Sequence, residues 1–252
     1  EDTIVTPVKV EFIDKFTPDD LRSTRFNRDM KPGAINDVSD EFTRIVLNGV
    51  APLISSDAEN KFWNGATAAT KTAVAALTAN AANPSVGTAE KTLVAAMPTT
   101  LFDSLTAKMI YNKGAVGKRI KVAGATLTES NLAVEIAKIY NPIPDEVLLG
   151  TEKPLIYAPR SVKKLINTFN LAQTYRDTFT VDLVSGKYFY LDVEIVFVPL
   201  ANNVIIAGVP MNFMWCTDLL DDYANINIAP YPAPRKDYFY DVIFTVFAHV
   251  VN

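Results

Sequence analysis

His249 and Cys216 are the only histidine and the only cysteine in the chain. A Ser-His-Asp or Cys-His site would have to use them. His249 lies near the end of an alternating apolar segment and reads as a half-exposed strand residue. Cys216 follows Trp215 with no strong base or helix start close by in sequence to lower its thiol pKa, so it reads as a packed thiol. A lone cysteine also leaves no partner for an intrachain disulfide and rules out a cysteine metal cluster. Gly114-Ala115-Val116-Gly117-Lys118-Arg119 invites comparison with a phosphate loop. That loop needs a longer interval between its glycines and a hydroxyl after the lysine; here Arg119 follows, and the segment reads as a glycine turn with basic flanks. Asp218, Asp221 and Asp222 could ligate a hard cation such as calcium, but the glycine turn and terminal glutamate of a known loop are missing, so they read as capping or turn carboxylates. Asp192 and Glu194 are placed on one strand face, where they could form an acid pair or, more simply, a solvated surface. Arg160, Lys163 and Lys164 open a helix and face water or a partner subunit. These residues assemble no catalytic constellation. No catalytic, cofactor-binding or metal residue is assigned, and no enzymatic activity is expected.

The composition is that of an ordinary globular chain. It has 252 residues, 49% of them hydrophobic and 21% charged, enough to bury a substantial core. A net charge of -4 argues against a protein that coats nucleic acid by bulk charge. No apolar run approaches the ~18 residues of a membrane span, so no membrane association is expected. Asn83-Pro84-Ser85 carries the proline that forbids glycosylation. The start at Glu1, with no signal-peptide pattern, is that expected of a fragment, a processed product or a chain numbered over only its ordered part.

The elements that must position these residues follow from periodicity. Residues 4–16 alternate as a strand, with Val8, Val10 and Phe12 against Lys9, Glu11 and Ile13. Thr17-Pro18-Asp19-Asp20 reads as a helix start and Lys31-Pro32-Gly33 as a turn. Val38, Phe42, Ile45, Val46, Val50 and Leu53 recur at helical spacing, and Pro52 is expected to kink or end that helix. A second piece runs over 56–63, with Gly65 as its stop. Over 66–97 the chain is rich in Ala and Thr; 68–77 reads as a helix and 78–88 as a surface loop. Helices are predicted over 101–111, with Phe102, Leu105, Met109 and Ile110 on one side, and over 128–141, with a Thr126-x-x-Glu129 capping box and a stripe of Leu132, Ile136, Ile139 and Tyr140. Pro142 and Pro144 end the latter. Residues 155–158 form a short strand, after which Pro159 opens a helix with Val162, Leu165, Ile166 and Phe169 inward. One strand is predicted over 188–198, with Phe189, Leu191, Val193, Ile195 and Phe197 buried, and another over 204–209. Pro230 to Pro234 is a stiff connector. The last strand, 238–251, places Tyr238, Tyr240, Val242, Phe244, Val246, Ala248 and Val250 on one apolar face. No internal repeat is read. The irregular mixture of strands and helices favours an α+β class.

In this order the segments resemble the tailed-phage (or prophage) major capsid protein family with the Hong Kong 97 fold. Asp40-Glu41-Phe42-Thr43-Arg44-Ile45-Val46-Leu47 resembles its spine helix, and Glu59-Asn60-Lys61-Phe62-Trp63-Asn64-Gly65 the segment after it. Leu132 to Pro144 is similar to the later helix that closes before the axial domain, and Leu155-Ile156-Tyr157-Ala158-Pro159 to a strand-then-helix entry. Asn203 to Ala207, followed by Cys216-Thr217-Asp218 and Asp221, is similar to a strand and Gly-Thr-Asp-like turn, with Cys216 where glycine is common. The resemblance extends loosely from about residue 8 to the end. It implies an N-terminal strand and extended-loop-like segment over 1–37, a spine helix and peripheral domain over 38–141, an axial-like domain over 142–228 and a return strand over 229–252.

The function implied is that of a structural virion protein. Copies of the chain would assemble through hexamers and pentamers into an icosahedral shell, with scaffolding, protease and portal proteins as further partners. The shell would enclose double-stranded DNA without sequence-specific binding. It would assemble in the host bacterial cytoplasm and reside in the virion capsid. No cofactor is implied. Two other readings stay open: a surface binding or adhesion module with exposed aromatics such as Trp63, Tyr188 and Tyr190, and a carboxylate enzyme using Asp192, Glu194 or the Asp218–Asp222 cluster.

Overall fold

The computed structural model describes residues 7–16, 40–77, 86–111, 124–173, 177–217, 227–230 and 238–250. The helix start at 17–20, the turn at 31–33, Gly114–Arg119, Asp218, Asp221, Asp222 and most of the Pro230 to Pro234 connector lie outside them. The fold is mixed α+β. The chain divides into two compact units, one of residues 1–59 with 215–247 and one of 60–214 with 248–252.

β1 (Val8–Phe16), of the first unit, runs antiparallel to β9 (Tyr238–Val250), with Val8 opposite Val246 and Phe16 opposite Tyr238. β8 (Asn227–Pro230) also pairs with β9, and β7 (Phe213–Cys216) belongs to the same sheet. The alternation read from the sequence is realised, since Val242, Val246, Ala248 and Val250 are buried. Helix α1 (Asp40–Trp63) is a single helix of 24 residues, about 36 Å long at the standard rise. Pro52 neither ends nor divides it. The only intrahelical bond a proline removes here is that to the Asn48 carbonyl, and both residues are exposed, so water can satisfy the carbonyl. Leu53, expected on the inward stripe, is 70% exposed.

The second unit contains two clusters, one of helices and one built on a sheet. α2 (Ala68–Ala76) and α3 (Thr88–Ala96) are a sequence repeat, contrary to the expectation of none: Ala69-Thr70-Lys71-Thr72-Ala73-Val74-Ala75-Ala76-Leu77 returns as Ala89-Glu90-Lys91-Thr92-Leu93-Val94-Ala95-Ala96-Met97. The equivalence holds in three dimensions. Val74 and Val94 are both 1% exposed, and Thr72 and Thr92 donate to the carbonyls of Ala68 and Thr88, both at 3.0 Å. Lys71 Nζ reaches the Met97 carbonyl and Lys91 Nζ the Ala75 carbonyl, so each lysine satisfies a carbonyl near the end of the other helix. The surface loop expected over 78–88 ends early, because Val86 is buried and Thr88 begins α3. Repeat and third helix were obscured by small residues that carry little periodic signal.

The pair is tied to α4 (Leu105–Tyr111) by Asp103, which accepts from the Thr67 N–H at 2.8 Å and the Thr70 hydroxyl at 2.7 Å. Gly65 permits the close approach that this join needs. A Cβ there would lie 2.7 Å from Thr100 Cγ2, and the Thr100 hydroxyl is held on the Phe102 carbonyl at 2.6 Å.

The other cluster is a five-stranded sheet ordered β3-β4-β5-β2-β6, built from Phe179–Val181, Tyr188–Tyr190, Val193–Val198, Leu155–Pro159 and Ile206–Gly208. β2 and β5 are parallel and the other pairs antiparallel. Between β2 and β3 the chain forms α7 (Arg160–Ala172), whose Val162 and Ile166 join Leu132 and Ile136 of α5 (Leu132–Tyr140) in the core over the sheet. A short helix, α6 (Asp145–Leu148), follows the proline stop after α5. α5 begins at Leu132, and the Thr126–Glu129 capping box is not formed. Asn131 instead holds the preceding turn, accepting from the Thr128 N–H at 2.8 Å and donating to the Thr126 carbonyl at 2.9 Å. Glu135, 6% exposed, accepts from Lys138 at 2.7 Å and from the Ala125 N–H at 3.1 Å. The Lys138 hydrogen bond holds its carboxyl below the ordinary glutamate range, against the opposing effect of burial.

The strand expected over 188–198 is two strands joined at Leu191-Asp192, with Leu191 at φ 53°. The turn changes the facing of what precedes it. Tyr188 and Tyr190, opposite Ile195 and Val193, are buried, whereas Leu191 is 51% exposed.

Candidate interaction surface

The described residues whose types suggested chemistry lie on strands, a turn and a helix. His249 and Cys216 are half-buried on β9 and β7. Asp192, in the β4–β5 turn, accepts from the Tyr140 hydroxyl at 2.8 Å, and that bond is the main cause of a raised tyrosine pKa. Glu194 pairs with Lys187 at 2.9 Å. The two carboxylates therefore occupy a turn and a strand, each with its own partner. Arg160, Lys163 and Lys164 are exposed on the first turns of α7, and Lys163 Nζ stands 5.4 Å from the centre of the Tyr188 ring. Among the described residues no group of three or more His, Cys, Asp or Glu could hold a metal ion. No helix among them is long and apolar enough to cross a membrane.

The aromatics named for a binding module do not form an open face. Trp63, Tyr188 and Tyr190 are 6%, 9% and 6% exposed. Trp63 packs on Tyr157 at 5.0 Å between ring centres, and Phe213 meets Tyr157 edge-on at 5.3 Å. Burial raises the pKa of both Tyr157 and Tyr190.

Among the described residues, the most exposed large apolar side chains lie elsewhere, at a place that no sequence motif marks. Leu183 and Val184 are 93% and 98% exposed at the tip of the β3–β4 hairpin. The tip is held by its own hydrogen bonds. The Asp182 N–H donates to the Lys187 carbonyl at 2.9 Å, and the Gly186 N–H to the Asp182 carbonyl at 2.7 Å. The Asp182 carboxylate accepts from Ser185 Oγ at 2.5 Å and from the Val184 N–H at 2.9 Å. These bonds, that from Ser185 foremost, lower the Asp182 pKa. Gly186 takes φ +69°, which glycine tolerates best. A Leu-Val pair between an Asp and a Ser-Gly turn was the available sequence signal. On the same unit, an open groove of about 540 Å³ lies between Thr128, Glu129 and Ser130 and the end of α7, where Phe169, Ala172 and Gln173 line it.

No protein-family model and no curated protein sequence matches the chain. Among solved structures, it is similar to a chain of the satellite phage P4 procapsid including size determination (Sid) protein. The TM-score is 0.56 at 11% identity, covering 100% of this chain and 74% of that one. The chain therefore has a phage capsid-related α+β fold.

Proposed function

We propose that the chain is a structural virion protein, a major capsid subunit of the Hong Kong 97 type. In this reading copies self-assemble through hexamers and pentamers into an icosahedral shell that encloses phage DNA. The observation that carries it is the similarity of fold along the whole chain to a procapsid chain. Within it α1 is the spine helix, residues 142–228 the axial-like domain and 229–252 the return strand. The subunit works by assembly rather than catalysis, in keeping with the separate hydrogen-bond partners of Asp192 and Glu194. Scaffolding, protease and portal proteins would be its further partners, the host bacterial cytoplasm its place of assembly and the virion capsid its location. DNA would be enclosed without sequence readout, as a net charge of -4 suits. Burial of Trp63, Tyr188 and Tyr190 removes the main support for a binding module.

Size-exclusion chromatography with multi-angle light scattering tests the proposal. Species of five or six copies, or larger closed assemblies, are expected as concentration rises. A monomer at every concentration and ionic strength tried would contradict it.

A further inference from the structure

We propose that the first turns of α7 contact the phosphate backbone of the enclosed DNA, with Lys163 and Lys164 as the contacting cations. The inference rests on the shell reading and names a place where the shell touches its contents. α7 carries three cations, Arg160, Lys163 and Lys164, and no acidic residue, in a chain whose net charge is -4. All three are exposed. At i, i+3 and i+4 they are neighbours on one helix surface, about 5–6 Å apart at Cβ. The Tyr188 ring, 5.4 Å from Lys163 Nζ, attracts the ammonium without neutralising it. The Ser161 hydroxyl donates to Asn202 Oδ1 at 3.0 Å, and the loop that it meets is uncharged from Pro199 to Ile205. Glu194 is paired with Lys187 and stands on the opposite face of the sheet, since Val193 and Ile195 on either side of it face the α7 core. Glu129 lies at the other end of α7, beside Phe169 and Ala172. The helix start adds to the charge. Pro159 at the N-cap offers no side-chain acceptor and the first turn holds no carboxylate, so nothing within the helix offsets the positive end of its dipole. This pattern suits a duplex better than an acidic polypeptide. DNA carries one negative charge per about 1.7 Å of axis, so cations on flexible stems find a phosphate in any register. Carboxylates of a peptide would have to be ordered to match them, at an entropic cost. Lysine binds as a point charge and not as a planar fork, which gives attraction without sequence readout. Each copy contributes little, and repetition of the contact along one duplex supplies the strength.

Fluorescence anisotropy with two labelled duplexes of unrelated sequence, titrated with the full chain at a series of low salt concentrations, tests the contact. Both duplexes are expected to bind alike, with log K falling linearly against log salt. K163A/K164A is expected to flatten that slope by about 1.8, two phosphate contacts at roughly 0.9 each, and to weaken low-salt binding by about tenfold or more. Its circular dichroism spectrum and light-scattering mass should stay those of the parent, and K163R/K164R should retain the binding. No binding by the parent at the lowest salt, or the same slope in K163A/K164A, would overturn the contact and leave the shell reading intact. Displacement of the duplex by poly-glutamate at equal charge would assign the patch to an acidic polypeptide and overturn it as well. A lower assembled mass for K163A/K164A at unchanged DNA affinity would make it a contact between subunits instead. Duplex binding with the predicted slope by a chain that stays monomeric would support the contact and overturn the shell reading.

Discussion

Several described side chains hold the folded units together. Gly65 is the sharpest case, because its missing Cβ leaves room for a Thr100 side chain that is itself hydrogen-bonded in place. Gly65→Ala is expected to destabilise the protein by about 1–3 kcal/mol, the usual cost of overpacking, measured by urea denaturation. Glu135 gives a prediction in pH. Its carboxyl is lowered in the folded state, chiefly by Lys138. The stability it contributes is therefore present above the ordinary glutamate range and is lost as pH falls through the lowered folded value. Lys138→Met should raise the Glu135 titration midpoint observed by NMR and shift acid unfolding to higher pH. An unchanged midpoint would show that Lys138 does not hold the carboxylate.

At the scale of elements, the α2–α3 repeat makes two positions equivalent. Val74→Ala and Val94→Ala should each cost roughly 2 kcal/mol, since each empties a fully buried site in the same cluster. A large difference between them in thermal or chemical denaturation would break the equivalence. In α1, Pro52 is exposed within an unbroken helix, so Pro52→Ala should stabilise the protein, by up to about 3 kcal/mol. Elements with strong alternation or clear stops were legible in the sequence. β9 could be read from its apolar face, and α7 from Pro159 and its Val162–Ile166 stripe. The β4–β5 hairpin was not legible, because Leu191-Asp192 lacks the usual Gly or Asn and the apolar alternation runs through it. That slip put Leu191 inside and left Tyr188 and Tyr190 among the exposed aromatics. α3 was missed because its Ala and Thr residues resemble a linker.

At the scale of the whole molecule, the chain has a phage capsid-related α+β fold, and its proposed role is that of a shell subunit. A shell subunit gains its function from many modest contacts made at once, so no single site has to be elaborate. Negative-stain electron microscopy of the concentrated full chain tests the central claim most directly. Rings of five or six subunits, or closed shells, are the predicted result; a uniform field of single subunits across concentration and salt would contradict the account.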